Sequence, residues 1–534
     1  MTGLQSNSIT RVVILGGGHS GVRAAKRLLE LRQPRDKLEV IIVSHENVEV
    51  WHGLMPQIVA GLVQPQYALV PLRQILPGAT IYTYEVEQID LPNRRVILNS
   101  GDERDQTMLD YDYLVVALGS STDLSRFPGL AEHGLQTKTI GDVVHLRNHV
   151  IDMLDRAAVE QDTAERRRML TFTVAGAGFA GVEIGTLANQ MIRGALRFYP
   201  TIKESEIRFI VLSRSERILP ALSDRLVRRA LRQMERSGIE VMRGVGLASA
   251  TAATAVLTNG ERIATRTLIV TTGIGSNPVV ARLPVTLRSG RIVCDRFCRV
   301  EGWSGVYATG DDAAIPTPGG GVYPPTGFVA IAQGKRAAEN ILAELRGRPL
   351  TPFRYEGMEA ALLSKGYAVT QFRRFQLDGW LAAIIWRLAL LTYIQTWQRR
   401  IALLQDWLTG SIFPPDITRM GISRSDAIVP MRFAAGDLII REGDPGSRFY
   451  TIIDGTVEIV RRTADGGEEH LESLGRGQYF GEIALLHEVK RTATARAATD
   501  TTVLSIARQD FNALVQHLPL LRYALDRRRG PTAP

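Results

Sequence analysis

Four consecutive apolar residues, Val12 to Leu15, are followed at once by Gly16-Gly17-Gly18-His19-Ser20-Gly21. An unbroken apolar run closed by glycines predicts a strand buried on both faces. Beyond the glycines, VRAAKRLLEL carries its apolar residues three and four positions apart, which predicts a helix. The same succession returns at 171–189, where TFTVAGAGFAGVEIGTLAN again gives strand, glycine loop and helix. Two later runs, TLIVTTG and GVYATGD, predict further strands. This alternation predicts an α/β fold with mostly parallel sheets.

The pattern changes near residue 350. Residues 380–408 hold four of the six tryptophans, and Arg387 and Arg399-Arg400 interrupt their apolar runs. A span needs ~20 apolar residues, so this segment predicts helices lying in a membrane interface rather than crossing it. A buried hairpin or a homodimer interface is the alternative reading. The stretch TGSIFPPDITRMGISRSD, with two prolines and little periodicity, reads as a linker. From about 428 short alternating strands separated by glycines predict a small β-barrel.

The length of 534 residues predicts three or four domains. Two cysteines, Cys294 and Cys298, are too few for a disulfide framework, which fits a reducing compartment. No apolar run precedes the first strand, so no secretory signal is expected. The net charge of +9 is carried mostly by arginine and suits a solvated basic surface or an anionic membrane face. No nucleic-acid-binding motif or metal-ligand spacing accompanies it.

Gly16, Gly18 and Gly21 fit the G-x-G-x-x-G loop in its meaningful context, between strand and helix, and Gly176, Gly178 and Gly181 repeat it. The first glycine allows the tight turn, the second lets a pyrophosphate approach, and the third lets helix pack on strand. The helix N-terminus then offers free N–H groups to phosphate. Two such loops predict two dinucleotides, one held and one exchanging. Asp311, after Gly310 at a strand end, suits a ribityl or ribose hydroxyl; a helix N-cap is its plainer role.

This layout resembles the two-dinucleotide flavoprotein superfamily. Within it, residues 10 to about 410 are most similar to type II NADH dehydrogenases, notably through RGRPLTPFRYEGMEAALLSKGYAV and DGWLAAIIWRLALLTYI. The resemblance implies an FAD-binding domain split between 9–125 and 281–348, with an NAD(P)H-binding domain at 126–280 inserted in it. Residues 349–410 would form a membrane-association segment, 411–427 a linker and 428–525 a C-terminal module. It further implies a non-proton-pumping enzyme, peripheral on the cytoplasmic face of a membrane through residues 370–408, passing electrons from NAD(P)H through FAD to quinone. FAD would be bound by Gly16, Gly18, His19, Gly21, Glu46, Val86, Gly119, Gly310, Asp311 and Phe328. Gly176, Gly178, Gly181, Ser213, Arg214 and Gly273 would bind NAD(P)H, with Glu183 and Lys365 as catalytic candidates. The redox cysteine pair of the disulfide reductases is missing, since residues 1–280 contain no cysteine.

Three departures stand out. Ser44 replaces the acid that grips a ribose, with Glu46 two residues on. Ser213-Arg214 replaces the corresponding acid of the second unit, which suits the 2′-phosphate of NADPH. Gly327-Phe328 and Ala332 stand where the family's quinone-site A-Q-x-x-x-Q is expected, with Gln333 one residue late. A soluble acceptor, or a redox or cyclic-nucleotide sensor, is therefore the alternative function.

The segment FGEIALLHEVKRTATARA (480–497) resembles the phosphate-binding cassette of cyclic-nucleotide-binding domains. A helix starting near Gly481 would aim N–H groups at a cyclic phosphate. The resemblance implies Glu482 on the ribose, Arg491 and Thr492 on the phosphate, and cAMP or cGMP as effector.

Overall fold

The computed structural model describes residues 9–99, 106–122, 124, 127–272, 274–420, 428–463, 467–487, 489–508 and 511. Its first sheet is parallel and five-stranded, ordered Val306–Ala308, Tyr113–Val116, Thr10–Leu15, Leu38–Val43, Thr80–Tyr82. Ile14 stands between Ile42 and Val115 in register, and Val12 to Leu15 are fully buried because both sheet faces are covered. The second sheet repeats the plan, ordered Gly134–Leu135, Thr267–Val270, Thr171–Ala175, Arg208–Ser213, Ile239–Arg243, again all parallel. Each sheet has its own three-stranded antiparallel meander, Glu85–Asp90 to Gln106–Asp110 and Leu247–Thr251 to Arg262–Ala264.

The edge strand Val306–Ala308 of the first sheet follows the whole second sheet in sequence, so the second unit is an insertion in the first. The chain passes between the units twice, at Ser121–Thr122 and Ile274–Gly275, and these two crossings pair antiparallel.

A three-stranded antiparallel sheet, Met358–Ser364 to Phe375–Gly379, leads into the helices Trp380–Tyr393 and Trp397–Ile412. Each helix buries few residues: Ala382, Ala383, Trp386 and Leu390 in one, Leu403 and Trp407 in the other. The second shows Trp397, Ile401, Leu404, Leu408 and Ile412 to solvent, a stripe at i, i+4, i+7, i+11 and i+15. Trp380, Leu381, Ile384 and Leu388 of the first are also exposed. No helix among the described residues is long and apolar enough to cross a membrane.

The C-terminal module is a two-sheet roll, with orders Ile428–Phe433, Thr501–Ala507, Arg448–Asp454, Tyr479–Phe480 and Leu438–Ile440, Thr494–Ala497, Val457–Arg462, Glu468–Leu474. It has its own core around Ile452, Val457 and Val503. The start of the expected linker is not loose. Residues 413–420 form a strap along the helix Ile140–Val159: buried Arg147 donates to the Asp416 and Thr418 carbonyls, and Asn148 exchanges hydrogen bonds with Met420. The roll meets the second unit where His133 Nε2 hydrogen-bonds the Arg432 backbone and where Arg441 lies 3.3 Å from Asp162.

Candidate dinucleotide cleft and C-terminal cassette

The two glycine loops are built alike. Gly16 and Gly176 turn with φ of +116° and +122°, conformations that favour glycine. A Cβ at Gly21 would lie 2.0 Å from the Gly16 carbonyl oxygen, and one at Gly181 would lie 2.0 Å from the Gly176 carbonyl oxygen. Gly18 and Gly178, by contrast, face open space, with nothing within 4 Å of a Cβ. Each opens a helix, His19–Leu31 and Phe179–Ala195, as its N-cap without a side-chain hydrogen bond. Free N–H groups beside open room are the features a pyrophosphate needs.

Opposite the first loop lies the corner Gly310–Asp312. Gln333, fully buried, accepts the Gly310 N–H at 2.7 Å through Oε1, while its Nε2 has no partner among the described residues. The glutamine offset by one residue in sequence thus braces this corner from within. Asp311 accepts a hydrogen bond from Ser120 Oγ at 2.9 Å, and the deeper Asp312 accepts the Gly119 N–H at 2.7 Å. Burial pushes Asp312 up to about 7. The open glycine, an amide donor without a partner among the described residues and two adjacent acids fit a polyhydroxylated dinucleotide. Asp312, absent from the sequence-based site, was recognisable only as the second half of an Asp-Asp pair.

Glu49 was also missed, since a lone acid in a short strand carries no signature. It is fully buried and lies 2.8 Å from His19 Nδ1 through Oε1. Oε2 accepts from Gln395 Nε2 at 3.1 Å, and Arg23 stands 3.6 Å away. His19 packs on Trp51, with ring centroids 4.4 Å apart. Glu49 therefore ties the first glycine loop to the connection between the two apolar-faced helices. His52 stands edge-on to His19, with ring centroids 6.0 Å apart.

The other first-unit candidates are spread more widely. Ser44 packs against Gly17, where a Cβ would meet its Oγ at 2.3 Å, and Glu46 is half-exposed. Val86 is paired with Leu98 in the meander. Phe328, at the start of the helix Gly327–Leu345, packs against Tyr393 at 5.2 Å.

In the second unit, Glu183 is buried and accepts the Leu362 N–H at 2.8 Å; burial pushes it up to about 8. It is therefore protonated at neutral pH. Lys365 lies three residues further on, its Nζ donating to the Gly410 carbonyl at 2.6 Å and its backbone carbonyl accepting from Arg387. Its ammonium is thus directed at the second apolar helix. Ser213 closes a turn onto the Ser215 carbonyl at 2.7 Å, leaving Arg214 exposed, with no hydrogen bond or ion pair to a described residue. Gly273 lies outside the described residues. Cys294 and Cys298 are both buried free thiols, raised above their ordinary range by that burial.

In the C-terminal roll, Gly481 turns with φ +87°, and a Cβ there would lie 2.8 Å from Arg491 Nη1. Buried Arg491 donates to the Gly481 and Arg448 carbonyls at 2.8 and 2.7 Å, with no ion pair among the described residues. Glu482 caps the short helix Ile483–Leu486, and Thr492 is exposed. A buried guanidinium whose hydrogen bonds go to carbonyls, with no carboxylate in ion-pair contact among the described residues, suits an anion.

Residues 10–334 match the profile of pyridine nucleotide-disulphide oxidoreductases, and residues 430–517 match the cyclic nucleotide-binding domain. A probable NADH dehydrogenase of Dictyostelium discoideum is 27% identical over 417 residues, covering 76% of this chain and 91% of its own. The type II NADH:quinone oxidoreductase NdhA of Mycobacterium tuberculosis is 29% identical over 422 residues, covering 74% and 86%. The structure of NDH2 from Plasmodium falciparum in complex with NADH superposes with a TM-score of 0.69 at 15% identity, covering 77% of this chain and 100% of its own.

Proposed function

Given that the chain belongs to the pyridine nucleotide-disulphide oxidoreductase family, we propose that it is an FAD-dependent NAD(P)H dehydrogenase that delivers electrons to a quinone at a membrane surface without pumping protons. The observation that carries this reading is the pair of matched glycine loops, each open at its second glycine and closed at its first and third. The relatives' names, with NADH and quinone in them, support the same donor and acceptor.

FAD, held by the first loop with Gly119, Gly310 and Asp311, supplies two-electron chemistry between nicotinamide and acceptor. The residues of the chain bind, orient and shield. The two helix N-termini meet the phosphates of the two dinucleotides. Asp311 and Asp312 take hydroxyl hydrogen bonds, and Gln333 holds their corner still. Glu183 keeps a proton in an apolar setting, available to the nicotinamide or the acceptor. Arg214, with no partner among the described residues, receives the 2′-phosphate of NADPH beside Ser213. The 370–408 segment lies on the membrane, at its cytoplasmic face, through the apolar faces of Trp380–Tyr393 and of the helix that begins at Trp397. The C-terminal roll binds cAMP or cGMP through Gly481, Glu482, Arg491 and Thr492 and tunes the dehydrogenase.

The test is anaerobic absorbance of the flavin bound to the purified protein, at ~450 nm. Bleaching by NADPH or NADH, then recovery on a quinone analogue, is the expected result, with the rate altered by cyclic nucleotide. Bleaching without recovery would replace quinone by another acceptor, and a flavin that never bleaches would end the dehydrogenase reading.

A further inference from the structure

The helix Asp224–Arg236, DRLVRRALRQMER, belongs to the second dinucleotide unit and has no part in the redox site. It buries Leu226, Val227, Ala230 and Met234. At 3.6 residues per turn, Arg225, Arg228, Arg229, Arg232 and Arg236 fall within one arc of about 100° on the opposite side. All five are exposed. Arg229 lies 3.9 Å from Asp378, and the other four have no ion pair among the described residues. The helix's own acids, Asp224 and Glu235, lie together on the flank of the arc away from Arg229. Like charges at these spacings repel, so the face is costly to the isolated helix.

Its placement gives the charge a use. Ser223, the N-cap, donates its N–H to Gln371 Oε1 at 3.0 Å, and Arg229 reaches Asp378. The helix therefore runs beside the strands Tyr367–Phe372 and Phe375–Gly379. The tip joining those strands is Phe372-Arg373-Arg374-Phe375, with both phenylalanines exposed, and the exposed Trp380 opens the first apolar helix. The arginine helix thus packs on the same three-stranded sheet that leads into the first apolar helix.

We infer that this arginine face docks on anionic lipid headgroups, so that the nucleotide-binding half, and not only the apolar helices, rests on the membrane. The inference builds on the membrane reading above and adds the lipid class. An arginine fork matches phosphate and carboxylate oxygens two at a time. A basic face, added to apolar helices on the same chain, supplies the second signal that stable peripheral binding needs.

The experiment is co-sedimentation of the full, FAD-loaded chain with vesicles of phosphatidylcholine alone and of phosphatidylcholine with phosphatidylserine. Wild type should prefer the anionic vesicles, and raising the salt should erase that preference. Each arginine at the surface is worth about fivefold, so Arg225→Gln, Arg228→Gln and Arg232→Gln together should weaken anionic binding on the order of 100-fold. Binding to neutral vesicles, the melting temperature and bleaching by NAD(P)H should not change. Trp380→Ser with Trp397→Ser should weaken binding to both vesicles. Equal wild-type binding to the two vesicles, or a triple variant that keeps the preference, would overturn this inference and leave the membrane reading standing. No wild-type binding to either vesicle would overturn both.

Discussion

At Gly16 and Gly176 the backbone takes nearly the same turn, and at Gly21 and Gly181 the third glycine closes on the first at the same distance. The surroundings differ. The first loop is clamped: Gly334 lets the helix Gly327–Leu345 approach until a Cβ would lie 2.1 Å from the Ser20 carbonyl, and Ser20 is bonded to Thr309. Glu49 grips His19 from below, and Arg23 and Lys26 tie the same helix to the Tyr393 carbonyl and to Gln395. Around the second loop the strand end is open, with Ser213 turned onto its own backbone and Arg214 in solvent. One motif can thus serve a resident cofactor or a passing substrate. What differs between the two loops is the packing around them, not the glycines in them.

Matched substitutions would break or sharpen this contrast. Gly21→Ala drives a methyl group into the Gly16 carbonyl, and at a clamped loop the helix cannot yield, so we expect a chain purified without yellow colour. Gly181→Ala makes the same clash and a second one, 2.6 Å from Thr271 Oγ1; there we expect flavin retained and the KM for NAD(P)H raised about 100-fold. Equal flavin loss in both variants would show that the loops are not specialised.

Glu183 gives a second contrast, with the half-exposed Glu46. Its proton is kept up to about 8, so turnover that uses this proton falls as pH rises through that value. Glu183→Gln should lower turnover about 100-fold and flatten that limb. Stability has a matching sign. The unfolded carboxyl ionises near 4.5 and the folded one only near 8, so wild type loses stability as pH rises across that window. Urea melts at both ends of the window should show a smaller loss in Glu183→Gln than in wild type, the remainder coming from raised carboxyls such as Asp312.

The smallest effect is the most specific. Arg214→Ala should raise the KM for NADPH about tenfold and leave that for NADH alone, because only the former carries the phosphate. An equal rise for both nucleotides would assign Arg214 to general charge instead.

Much of this architecture is legible in the chain. Continuous apolar strands and glycine loops speak through neighbouring residues, so Val12–Leu15 and Thr171–Ala175 are visible as buried strands without any structure. What is hidden depends on distant partners. Glu49 gains its role from His19, Arg23 and Gln395, which lie 30, 26 and 346 positions away. Gln333 looks displaced when aligned by spacing, yet it turns inward to Gly310. The strap at 413–420 is proline-rich and aperiodic, so nothing local reveals that Arg147 awaits it.

That strap also dictates where the gene can be cut. Arg147 is fully buried, and its Nη2 finds its carbonyls on Asp416 and Thr418. A shortened chain ending at residue 412, where the second apolar helix stops, would leave a cation in the wall of the dehydrogenase with those acceptors gone. One ending at 420 would carry the strap with it. The workable boundary of the dehydrogenase as an isolated unit therefore lies past its last helix, inside what looks like spacer, and a library of C-terminal deletions should show solubility rising abruptly once that stretch is included.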